Sequence, residues 1–159
     1  MTALILPLTE AATHWPPRSA LIGLDLGTKT IGVAVSDPDR KLATGVTTVA
    51  RKNFTADAKE LLALATERNA VGFVLGLPVN MDGSEGPRAQ STRAFARNFA
   101  KLTELPIALW DERLSTAAVE RGLIEADMSR KRRAEVIDQH AAAYILQGAL
   151  DRLAGLRQQ

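Results

Sequence analysis

The sequence predicts an α/β fold, a mixed five-stranded sheet with an antiparallel meander followed by parallel strands and helices on both faces. Three observations predict it. Residues 20–50 hold three apolar, β-branched segments separated only by turn signals, and strands joined so tightly run antiparallel. From residue 55 onward, stretches of helical periodicity alternate with short apolar runs, the pattern of βαβ crossovers. One of those runs, AVGFVLGLP (70–78), has no polar side chain at all, as in a parallel strand covered on both faces.

Each element has its own signal. Residues 1–17, MTALILPLTEAATHWPP, contain Pro7, Pro16 and Pro17. They read as a loose arm, so residues 1–19 are expected to be a flexible extension and 20–159 the folded domain. Residues 20–26 and 31–37 flank GTKT (27–30), a hairpin signal. The turn DPDRK leads to a third strand at 42–50. TADAKELLALATERN (55–69) spaces Leu61, Leu62 and Ala65 as a helix does, with Thr55 as candidate N-cap. A helix over 87–104 opens on Pro87, which suits the first helical position. LPIALWDER (105–113) is the fifth strand, and helices follow over 115–126 and 130–153.

Composition narrows the chemistry. The 159 residues suit a single core. The chain has no cysteine, which removes disulfides, zinc–thiolate sites and thiol nucleophiles. No apolar stretch approaches the ~20 residues of a membrane span, and the N-terminus lacks the basic start and long apolar core of a signal peptide. A cytoplasmic protein without a membrane partner is expected. The net charge is +2, too small to name a partner, so the placement of charges decides.

Asp25 interrupts the apolar run LIGLDLG, and Asp111 and Glu112 end the last strand. Asp138 interrupts a helical stripe that is otherwise Ala and Ile at 134, 137, 141, 142, 145 and 149. Any one of these acids could be a structural carboxylate satisfied by backbone N–H groups or an arginine. Three core-directed acids at the ends of separate elements favour a shared cation, because converging carboxylates repel without one. With oxygen donors and only His14 and His140 as imidazoles, the ion would be Mg²⁺ or Mn²⁺. Such ions serve phosphodiester cleavage.

Groups suited to phosphate lie nearby in sequence. GLPVNMDGSEG (76–86) follows a buried strand; it reads either as a surface turn or as a loop offering N–H groups to phosphate. SRKRRAE (129–135) places Arg130, Lys131, Arg132 and Arg133 at a helix start, where the macrodipole disfavours positive charge. An anionic partner explains the run better than a solvated face, and nucleic acid fits. Aromatic residues are only 4% of the chain, so recognition should use backbone and shape more than base stacking. The candidate nucleic-acid-binding residues are Lys29, Arg88, Arg113, Arg130, Lys131, Arg132, Arg133, Gly76, Asp82, Gly83 and Ser84.

The segments GLDLGTKTIGVAVSD (23–37), GLPVNMDGSEG (76–86), DERLST (111–116) and IDQHAAAYILQ (137–147) together resemble the YqgF or RuvX family of Holliday-junction resolvases and pre-16S rRNA processing nucleases. The resemblance runs from about residue 20 to 153 and keeps four motifs in order. It implies an RNase H-like fold and a divalent-metal nuclease in the bacterial cytoplasm. By resemblance Asp25, Glu112 and Asp138 are the metal ligands, with Asp111 the alternative acid of the DER motif. Thr30 stands where many members have Arg. The implied partner is nucleic acid, an rRNA precursor or branched DNA, met by a monomer or weak homodimer. The most favoured activity is processing of the 5′ end of pre-16S rRNA, ahead of junction resolution and of a non-catalytic RNA-binding module. DLGTKT also resembles the first phosphate motif of the actin-like and sugar-kinase ATPases, which need two such domains to enclose ATP.

Overall fold

The computed structural model describes residues 2–114 and 130–157, the last helix without the side chains of 130–139 and 157. The helix expected over 115–126 lies outside the described residues. Six strands form one sheet, β1 (Ile5–Pro7), β2 (Ala20–Leu26), β3 (Thr30–Ser36), β4 (Ala43–Ala50), β5 (Ala70–Leu77) and β6 (Ile107–Asp111), in the order β1-β6-β5-β2-β3-β4. β2, β3 and β4 form the antiparallel meander, whereas β5, β6 and β1 extend the sheet from β2 in parallel. The helices are α1 (Leu8–Ala11), α2 (Phe54–Glu67), α3 (Pro87–Ala100) and α4 (Arg130–Arg157). No helix among the described residues is long and apolar enough to cross a membrane.

Strand alternation divides the core in two. Ile22, Leu24 and Leu26 face the side covered by α2 and α3, with Phe73 and Leu75 of β5 and Phe95 and Phe99 of α3. Leu21, Val74, Ala108 and Trp110 face the other side, against Ala142, Ile145, Leu146 and Ala149 of α4. The second face is the one on which the odd-numbered positions of β2 lie, Asp25 among them.

The sheet has six strands rather than the expected five, because the N-terminal arm is packed onto its edge. Ile5, Leu6 and Pro7 pair with Ile107, Ala108 and Leu109. Ala3 donates to the Ala100 carbonyl at 2.7 Å, and Ile107 to that of Leu4 at 2.8 Å. Prolines hid this strand from sequence reading, yet Pro7 closes an edge strand, where a missing N–H is tolerated. Trp15 is buried, lies where a side chain on Gly72 would otherwise stand, and donates to the Pro106 carbonyl at 3.4 Å. Arg40 lies over its ring and ties the arm down through the carbonyls of Pro16 and Ser19. We expect Gly72→Ala to expel Trp15 and cost about 1–3 kcal/mol through overpacking. Denaturant unfolding with tryptophan emission checks this; unchanged stability and emission would place Trp15 elsewhere.

The start of α2 also differs slightly. Asn53, not Thr55, is the cap, its side chain accepting from the Ala56 N–H. Both residue types cap well, and Asn53 has the extended backbone the position requires.

Candidate active site at the strand ends

β2, β5 and β6 run parallel, so their carboxyl ends open on one side of the sheet, where α/β folds place their ligands. Asp25 is the penultimate residue of β2 and only 2% exposed. Leu24 pairs with Leu75, so Asp25 and Gly76 come next on adjacent strands about 4.8 Å apart. Both lie on the α4 face. Two residues earlier, a Cβ on Gly23 would stand 2.7 Å from the Leu146 Cβ and 3.1 Å from the Ala142 carbonyl.

Gly76 makes the site. A Cβ there would meet Ile145 Cδ1 at 2.5 Å and Glu112 Oε1 at 2.7 Å. The Glu112 carboxylate thus fills the volume that a side chain at position 76 would take, beside Asp25. Sequence reading put Gly76 at the head of the phosphate loop; it lies inside β5. A glycine in an otherwise apolar strand signals close approach of another group, and that signal was available.

The two acids of DER part company. β6 ends at Asp111, and Glu112–Leu114 form a 3₁₀ turn. Asp111 accepts from Arg113 through the backbone N–H at 2.9 Å, Nε at 3.0 Å and Nη2 at 2.7 Å. The Arg113 hydrogen bonds hold the Asp111 carboxyl below its usual range. Asp111 is therefore engaged by Arg113 while Glu112 turns to Gly76. Asp138 lies on α4, one turn before Ala142, and its side chain is outside the described residues. The same holds for Arg130, Lys131, Arg132 and Arg133 in the first turn of α4. Among the described residues no group of three His, Cys, Asp or Glu gathers in a metal-ligating arrangement.

The loop 78–86 is a closed turn. Gly83 has φ +90°, a conformation that favours glycine. Its N–H donates to Asn80, that of Asn80 to Ser84, and that of Ser84 to Asp82 Oδ1. These N–H groups are spent inside the loop. The hydrogen bonds from Ser84 keep the Asp82 carboxyl below its usual range. Two arginines fasten the loop. Arg93 grips Glu85 at 2.5 and 2.8 Å, and Arg113 Nη1 reaches the Met81 carbonyl at 3.4 Å. Lys29 is exposed in the β2–β3 turn, and Arg88, exposed at the start of α3, reaches the Leu26 carbonyl at 3.4 Å.

This fastening should open in acid. Hydrogen bonds from Arg93 lower the Glu85 pKa, as those from Arg113 lower that of Asp111. A carboxyl whose pKa is depressed on folding gives stability fully present above its unfolded value and lost as pH falls through the folded one. We expect amide-exchange protection of residues 80–84, corrected for intrinsic rates, to hold from neutral pH down to the ordinary carboxylate range and to fall below it. Protection already lost near neutral pH would contradict this.

A family model described as RuvX, Holliday junction resolvase, matches residues 19–152. A protein of Rhodopseudomonas palustris (strain BisB5), named "Putative pre-16S rRNA nuclease", is 80% identical over 156 residues, which cover 98% of each chain. One of Bradyrhizobium diazoefficiens with the same name is 77% identical over 157 residues, covering 99% of this chain and 98% of that one. Among solved structures, RuvC of T. thermophilus in complex with Holliday junction substrate aligns with a TM-score of 0.55 at 11% identity, over 86% of this chain and 96% of that one. The yeast mitochondrial Holliday junction resolvase Ydc2 aligns with a TM-score of 0.55 at 12% identity, over 95% of this chain and 86% of that one. At such identities the likeness concerns the fold, and it agrees with the RNase H-like architecture expected from the sequence.

Proposed function

The chain belongs to the RuvX family, and from that premise we propose that it is a divalent-metal-dependent nuclease that processes the 5′ end of pre-16S rRNA in the bacterial cytoplasm. The observation that carries the chemistry is the seating of Glu112 over Gly76 beside buried Asp25. A cradle that only glycine leaves open, filled by a carboxylate next to a second carboxylate, fits a hard cation. Asp25, Glu112 and Asp138 would hold Mg²⁺ or Mn²⁺ as oxygen donors, with Glu112 preferred to Asp111 because Arg113 engages the latter. The ion supplies Lewis-acid stabilisation to the phosphate under attack.

The chain's own groups do the rest. Burial of Asp25 fixes its carboxylate and limits water on the α4 side. The 3₁₀ turn fixes Glu112 through the Asp111–Arg113 pair that flanks it. Arg88, Lys29 and the basic start of α4 hold backbone phosphates, and Gly83 and Ser84 shape the wall beside them. All three acids come from one chain, so a monomer or weak homodimer suffices.

The rRNA substrate is supported by the names of relatives about 80% identical over nearly the whole chain. The family description favours a second reading, resolution of four-way DNA junctions. The test is cleavage of a 5′-extended 16S rRNA precursor and of a four-way DNA junction, each with Mn²⁺ and Mg²⁺. Cutting of the precursor supports the proposal, and cutting of the junction alone supports the second reading. Binding without cleavage under either metal would make the protein a binding module.

A further inference from the structure

Two guanidinium groups hold consecutive carbonyls just past Asp25. Arg88 reaches the carbonyl of Leu26, and Arg51, in the segment after β4, reaches that of Gly27 at 2.7 Å. The Arg51 N–H also donates to the Lys29 carbonyl at 2.9 Å, which joins this segment to the β2–β3 turn. Lys52 comes next. Its N–H is fixed at 3.0 Å on Asp57, a buried acid in the first turn of α2. Backbone contacts therefore bring Lys29, Arg51 and Lys52 together, and all three are exposed.

The basic residues near the strand ends fall into two sorts. Arg113 and Arg93 are paired with Asp111 and Glu85. Lys29, Arg51 and Lys52 form no ion pair among the described residues. Pinning the turn at Gly27 needs one donor. Three cations brought together by backbone contacts, with no ion pair among the described residues, exceed that need and repel one another. A polyanion relieves the repulsion. The Gly27 carbonyl lies about 7 Å along the chain from Asp25 at strand rise.

We propose that Lys29, Arg51 and Lys52 form a phosphate-binding track that carries the nucleic-acid backbone from the Asp25–Glu112 site across the β2–β3 turn to the end of β4. It is separate in sequence from the basic start of α4. The track reads charge and backbone, not bases, since its groups are long cations on an exposed rim. It rests on the nuclease reading for its ligand and extends that reading from Lys29, already a candidate in the sequence, to Arg51 and Lys52, which sequence patterning did not mark.

The test is equilibrium binding of a labelled RNA hairpin and of a four-way DNA junction, in EDTA so that no cleavage intervenes, over a range of salt. The variants are K29Q/K52Q, which leaves the Arg51 pin in place, and K29Q/R51Q/K52Q. Removing one cation from a phosphate should flatten the log–log salt dependence by about one unit. We expect a fall of about two units in the double variant and about three in the triple. The thermal midpoint of the double variant should be unchanged, because exposed charges add little to stability. Steep wild-type binding with an unaltered slope in the double variant would overturn the track and leave the nuclease reading standing. A wild type that binds neither probe would overturn both.

Discussion

Asp25→Asn and Glu112→Gln are each expected to lower metal-dependent cleavage about a thousandfold or more. The loss of an oxygen donor to a catalytic cation removes several kcal/mol of transition-state stabilisation, and each 1.4 kcal/mol is about tenfold in rate. Folding should survive. Both substitutions keep side-chain shape and remove one of two neighbouring like charges, whose repulsion offsets the weaker hydrogen bonding of the amide. Stability without metal should move by no more than about 1 kcal/mol. The losses should not add in the double variant, because both residues belong to one unit. Asp111→Asn should cost far less activity, since it loosens Arg113 without removing a donor. Cleavage rates per folded molecule, with thermal melts of the same samples, separate these effects. If D111N abolishes cleavage and E112Q does not, the ligand assignment is wrong. If D25N and E112Q unfold the protein while cleavage per folded molecule persists, both acids are structural.

Gly76→Ala should lose about a hundredfold in activity and about 1–3 kcal/mol in stability. The added methyl would stand 2.5 Å from Ile145 Cδ1 and 2.7 Å from Glu112 Oε1, so one of them must move. Ile145 is 0% exposed, and a packed core resists displacement. Glu112 stands on a partly exposed turn and is the group that yields. A shift of about 1 Å in a catalytic group is enough for a hundredfold loss, and overpacking costs the stability. Gly23→Ala is the control, because its methyl would press on α4 at Leu146 and Ala142 instead. It should lose comparable stability with a smaller loss of turnover, because it leaves the Glu112 seat intact. Kinetics and denaturant unfolding of both variants check this. G76A with wild-type turnover per folded molecule would remove the cradle from the account.

Hydrophobic pattern made most of the fold legible. The meander, the buried β5 and the alternation of β2 follow from side-chain period alone, whereas the separation of Asp111 from Glu112 comes from the 3₁₀ turn that starts where β6 ends. Which of the two faces Asp25 was not legible, because it depends on the register of β6 against β5 and β5 against β2. The sixth strand was missed because three residues ending in proline carry no period. Charge was read least well. Arg113 looked free in sequence, yet Asp111 two residues away holds it. Arg51 was not singled out in the sequence, yet it is fixed to the turn beyond Asp25. Pairing, not the count of cations, decides which of them can meet phosphate, and pairing is a tertiary property.

The central claim is that Asp25 and Glu112 share one divalent ion. Calorimetric titration with Mn²⁺, without nucleic acid, tests it most directly. The account predicts saturable binding by the wild type, binding weakened by about a hundredfold or more in D25N and E112Q, and a smaller loss of about tenfold in D111N, which only loosens the Arg113 pair beside Glu112. Wild-type Mn²⁺ affinity in D25N and E112Q, or its loss in D111N alone, would contradict it.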